Sequence, residues 1–143
     1  MLGLLKNVFA GSASREQDEA ALRQALSGKT AAIISASCCS AGAGAQDEVL
    51  HARVKAMLDE KGLDWPIVVV TITQAQSALG KVAATVGEVE RGLCQEIQGL
   101  FMNHGLAVFP ALIVDQKLIC YGGVPSVEQL QTRLDQLDIL QAI

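Results

Sequence analysis

Aromatic side chains are scarce in this chain: one Trp, one Tyr and three Phe among 143 residues. Half the residues are nevertheless hydrophobic, so the core has to be built from Ala, Val, Leu and Ile. Long apolar runs are missing as well. No stretch reaches the roughly 18 uninterrupted apolar residues of a membrane-spanning helix. The opening, MLGLLKNVFAGSAS, is apolar but short, and Lys6 and Asn7 break it. A secretory signal, with its basic start and longer apolar stretch, is therefore not expected. There is no basic patch and the net charge is −4, so nucleic acid is not an expected partner. Only two histidines occur, His51 and His104, neither at metal-ligand spacing to another His or acid. No Ser-His-Asp arrangement or Walker motif is present. A charged fraction of 18% argues against disorder, and the length suits one domain with a real core. The chain reads as a cytoplasmic protein whose four cysteines are reduced rather than paired.

The pattern along the chain alternates strands and helices. Ser14 and Gln17 have capping-box spacing, and Ala21, Leu22, Ala25 and Leu26 then repeat at helical spacing up to Gly28. Thr30 to Ala36 is short, apolar and partly β-branched, as a buried strand is. Leu50, Val54, Met57 and Leu58 line one helix face, and Gly62 ends that helix. Ile67 to Ile72 is the strongest strand signal. Residues 74–104 fit one or two Ala/Gly-rich helices carrying Val86, Val89, Leu93, Ile97, Leu100 and Phe101. Ala111–Val114 and Lys117–Tyr121 form a hairpin about Asp115-Gln116, a weaker turn signal than Asp-Gly. Ser126 and Gln129 open a last helix with Leu130, Leu134 and Leu137 on one face. Strand–helix–strand implies a parallel pair with a right-handed crossover. The expected class is α/β, with a four-stranded mixed sheet in the order β-α-β-α-β-β-α. An N-terminal helical extension (1–29) precedes the main domain (30–143).

Chemistry concentrates at Cys38 and Cys39, side by side in SASCCSAGAGAQDE between the first strand and a helix. A helix N-terminus favours thiolate, and thiolate is both a nucleophile and a soft-metal ligand. A disulfide between neighbours would close a strained ring, and dithiol redox chemistry prefers C-x-x-C. Adjacency thus favours shared ligation of a soft ion such as As(III), Sb(III) or Cu(I). The plain alternative is that both are small buried hydrophobes. Gly42 to Asp47 imitates G-x-G-x-x-G, but Asp47 replaces the last glycine and would repel a pyrophosphate.

Cys-Cys-Ser-x-Gly after the first strand, then F-P-A-L-I-V-D-x-K-L and Pro-Ser-x-Glu-x-Leu, resembles a thioredoxin-fold family. This is the metallochaperone and trans-acting repressor family of arsenical-resistance operons (ArsD), and the resemblance covers about residues 30 to 135. It implies a thioredoxin-like fold and trivalent arsenic or antimony held by cysteine thiolates. It also implies transfer of the metalloid to an efflux ATPase or another metal-accepting protein. The first two metalloid cysteines fall on Cys38 and Cys39, whereas the third falls on Gly44, so a third thiol has to come from Cys94, Cys120 or a second subunit of a homodimer. In thioredoxin-like folds the proline before the third strand is cis and faces the cysteine loop. That places Pro110 at the site with Ser37, Ser40 and Gly42. The resulting expectation is a carrier or sensor rather than a catalyst. One alternative is a thiol-disulfide or sulfur-transfer protein with Cys38 as nucleophile and Cys39 or another thiol resolving it. The other is a non-catalytic interaction module.

Overall fold

A run of small and branched residues forms the centre of the sheet. In β1 (Ala31–Ser35) every residue is buried, because it has a neighbouring strand on each side and helices above and below. The computed structural model describes residues 16–36 and 43–142. Within them the fold is mixed α/β. Residues 16–25 are helical (α1), followed by β1, α2 (Ala43–Glu60) and β2 (Ile67–Thr71). Then come α3 (Ile72–Thr85), α4 (Glu88–His104), a 3₁₀ turn at Gly105–Val108, β3 (Ala111–Val114), β4 (Lys117–Cys120) and α5 (Val127–Ala142). The strands lie in the order β2-β1-β3-β4, with β1 parallel to β2 and the other two pairs antiparallel.

Alternation along the inner strands divides the interior into two cores. Ala31, Ile33, Leu112 and Val114 point to the face covered by α2 and α5. There they meet the stripe Leu50, Val54, Met57 and Leu58 together with Leu130 and Leu134. Ala32, Ile34, Ala111 and Ile113 point the other way, to α1, α3 and α4. Leu22, Ala25 and Leu26 are buried in this second core, so α1 shares its packing with the sheet. Each large aliphatic side chain fully removed from water contributes about 1.5–3 kcal/mol.

The helix ends show local chemistry. At the end of α2 the Leu63 N–H donates to Leu58 and the Gly62 N–H to Asp59, with Gly62 at φ +70°. These are the paired bonds of a Schellman stop, which only a residue tolerant of positive φ closes easily. Residues Ser126 and Gln129 exchange the reciprocal bonds of a capping box at 3.2 and 3.0 Å. The Ser14–Gln17 box lies outside the described residues.

Three sequence expectations need correction. Ile72 is not the end of β2 but the first residue of α3. The Thr71 hydroxyl accepts from Gln74 N–H, and the Gln74 side chain accepts from Thr71 N–H, so a capping box overrides the β-propensity of Ile72. Residues 74–104 form two helices, and Val86 lies in the break rather than on a helix face. Gly28 is not the residue that stops α1. The helix is over by residue 25, the Ser27 hydroxyl donates to the Gln24 carbonyl, and the left-handed residue is Lys29 at φ +53°. Lys29 tolerates that conformation because its N–H donates to Asp115 Oδ1 at 2.9 Å. The hairpin turn is as placed, and Asp115 and Gln116 both take positive φ. Asp115 N–H bonds the Thr30 carbonyl, and the Gln116 amide donates to the Leu26 carbonyl and Glu90, which compensates for the missing glycine.

Candidate functional site

The C-terminal ends of β1 and β2, the start of β3 and the end of β4 lie together at one end of the sheet. Ser35 pairs with Thr71, Ile34 with Ala111, and Leu112 with Cys120. Residues 37–42 join this end of β1 to α2. Cys38, Cys39, Ser37, Ser40 and Gly42 all fall in that segment and lie outside the described residues. Pro110 immediately precedes β3 at the same end; it is buried, and the Phe109–Pro110 bond is cis.

Cys120 is a buried core residue on the α2/α5 face. Plain alternation from Val114↔Lys117 and Ile113↔Leu118 would pair Cys120 with Ala111, on the opposite face. The register shifts instead, so that Leu112 faces Cys120 and Ile119 becomes the extra residue of a bulge. A one-residue slip reverses which face a side chain takes. Burial raises the thiol pKa, and the Arg133 guanidinium, which donates to the Ile119 carbonyl at 3.2 Å, pulls it back only partly. Cys94 is buried on α4 in the other core. Its pKa is raised by burial above all, with Glu90 adding to the effect and a backbone hydrogen bond opposing it. The sheet therefore stands between Cys94 and Cys120. Among the described residues no three His, Cys, Asp or Glu side chains gather as a metal site.

The structure adds one polar pair to this end of the sheet. Ser35, at the end of β1, donates its hydroxyl to Asp47 Oδ2 on α2, and both residues are buried. Asp47 Oδ1 is also buried and accepts no hydrogen bond from the described residues. Buried carboxylate oxygens seldom go unsatisfied, because desolvating them without a partner is expensive. The sequence did carry a signal. Asp47 stands three residues before Leu50, so it belongs to the same stripe as Leu50, Val54, Met57 and Leu58 and is its one acid.

The loop after β4 closes the same end. Arg53 of α2 donates to the Val124 and Pro125 carbonyls, each at 3.0 Å. Gly122, at φ +76°, sends its N–H to the Val108 carbonyl at 2.7 Å. A Cβ there would stand 3.1 Å from the Ala107 carbonyl oxygen, so glycine is required both by backbone angle and by space. His51 and His104 are half-buried and exposed respectively, on separate helices. No helix among the described residues is long and apolar enough to cross a membrane. No family model, curated protein or solved structure matches this chain.

Proposed function

We propose that this chain is a thioredoxin-like carrier or sensor that binds a soft metal or metalloid, of the As(III) or Sb(III) kind, through Cys38 and Cys39. The observation that carries the reading is the buried Ser35–Asp47 pair. It flanks in sequence the segment that holds both adjacent thiols, and one oxygen of its carboxylate has no donor among the described residues. A thiol must lose its proton to bind a soft ion, and the pair puts hydrogen-bonding groups on the sheet face that also carries Cys120. The element order, the mixed four-stranded sheet and the proline before β3 support the thioredoxin-like reading.

The two remaining thiols differ in their suitability as a third ligand. Cys120 lies at the sheet end from which residues 37–42 depart, on the face that carries Ser35 and Asp47, and Arg133 favours its thiolate. Cys94 lies in the other core with Glu90 opposing its ionisation. Cys120 is therefore the better third ligand, in place of the thiol missing at Gly44. Delivery to an efflux ATPase or another acceptor would proceed by thiolate-for-thiolate exchange.

The test is an anaerobic As(III) titration of the reduced protein, following thiolate absorbance and counting free thiols. The expected result is one ion per chain with three thiols protected. Protection should fall to two in Cys120→Ser, stay at three in Cys94→Ser and vanish in Cys38→Ser,Cys39→Ser. Failure to bind As(III), Cu(I) or Zn(II) would sink the proposal.

A further inference from the structure

The α1/α3/α4 face holds a cavity of about 240 Å³ that is open on one side. One stripe from each of two helices lines it: Ile72, Ala75 and Leu79 of α3, at i, i+3 and i+7, and Cys94, Ile97 and Phe101 of α4 at the same spacing. Ile34 and Phe109 add the sheet side, and Leu22 and Leu26 close it from α1. Among the described residues the polar side chains in the lining, other than the Cys94 thiol, are the carboxamides of Gln76 and Gln98. Both are exposed, as is Met102 beside them, so they mark the mouth. Phe101 and Phe109 stand in the wall with ring centroids 5.8 Å apart and planes tilted by 50°.

We infer that this cavity is a binding site for a small uncharged aromatic molecule of about two fused rings, bearing at most one polar group. Four features select that occupant. Among the described residues no carboxylate, ammonium, guanidinium or imidazole group lines the space, so a charged ligand would lose its hydration without compensation from them. The volume exceeds the roughly 150 Å³ at which an apolar cavity already accepts benzene, which leaves room for a second ring. The tilted phenylalanine pair offers ring edges and faces to a third aromatic group. Gln76 and Gln98 at the mouth supply one donor or acceptor for a polar end, the usual composition of a small-molecule pocket. Burial raises the pKa of the Cys94 thiol in the wall, which suits it to act as a small apolar contact. The site is independent of the metalloid reading, since all its residues lie on the face opposite Cys120 and Asp47.

Indole is a suitable probe, titrated into the full chain while methyl and aromatic NMR signals are recorded. Saturable shifts are expected at Leu22, Ile34, Ile97 and Phe101, with one indole per chain and a dissociation constant below about 1 mM. The charged analogue indole-3-acetate should bind at least tenfold more weakly. Ala75→Phe and Leu22→Phe each fill part of the space. Either variant, provided it melts at or above the parent temperature, should reduce indole affinity at least tenfold. No saturable shift, or equal affinity in a folded filled variant, would overturn the inference. Equal binding of the charged analogue would overturn the assignment of an uncharged occupant.

Discussion

The two faces of the sheet are covered in different ways. On one, α2 and α5 bury Leu50, Val54, Met57 and Leu130 completely, and a Schellman stop and a capping box define the helix ends. On the other, α3 and α4 carry Gly80, Gly92 and Gly99 within their spans, leave Val89 and Met102 exposed and surround a cavity. Both faces are apolar, and both rest on the same strands. The difference is in side-chain volume. Long aliphatic side chains at stripe positions interdigitate, whereas small residues among the stripe positions of α3 and α4 leave space unfilled. One face is thus a rigid frame for the end of the sheet where β1, β3 and β4 meet. The other has room for a guest.

The comparison is broken most directly by truncation. Leu50→Ala should cost about 3–4 kcal/mol, because its surroundings are full and a new void opens. Leu26→Ala removes an equally buried side chain, but one that already borders empty space, and should cost about 2 kcal/mol. Urea midpoints at unchanged slope would measure both. Equal losses would mean that the two faces are packed alike.

Filling in the helices rather than the cavity sharpens the contrast. A Cβ at Gly80, Gly92 or Gly99 would meet nothing within 4 Å. Replacing all three with Ala should therefore stabilise the chain by about 2 kcal/mol, from 0.5–1 kcal/mol at each helical position. Thermal melting would show it, and indole binding should survive. A loss of stability would show that those positions serve some close approach.

The smallest effect concerns pH. Burial raises both Cys94 and Cys120, so the folded chain retains protons that the unfolded chain releases. Stability from this source is fully present below the ordinary thiol pKa of roughly 8.5 and falls as pH rises from there through the raised values. Urea midpoints from pH 7 to pH 10 should decline less in Cys94→Ala,Cys120→Ala than in the parent. Parallel declines would mean that neither thiol is held protonated by the fold.

Much of the frame was legible from residue patterns. The Leu50–Leu58 stripe, the Gly62 stop, the hairpin about Asp115-Gln116 and the Ser126–Gln129 box all stand where spacing put them. These are local signals, each complete within a few residues. What could not be read depends on partners distant in sequence. Lys29 adopts positive φ because Asp115 reaches it from the hairpin. Asp47 is buried because Ser35 meets it across the fold. The Thr71 box was local yet masked, since the residue after the cap belonged to the strongest β pattern in the chain. Of the candidate site, the sequence names Cys38 and Cys39, which lie outside the described residues; the structure describes the sheet end from which their segment departs, the buried Ser35–Asp47 pair and the separation of Cys94 from Cys120.

That separation rests on the bulge at Ile119. Paired without the bulge, the same residues would follow simple alternation, and the thiol would stand opposite Ala111 on the other face of the sheet with no residue type changed. Substitution alters what stands at that position, whereas register decides which compartment of the molecule it occupies. The chemistry available at that end of the sheet is set by a count of residues as much as by their kind.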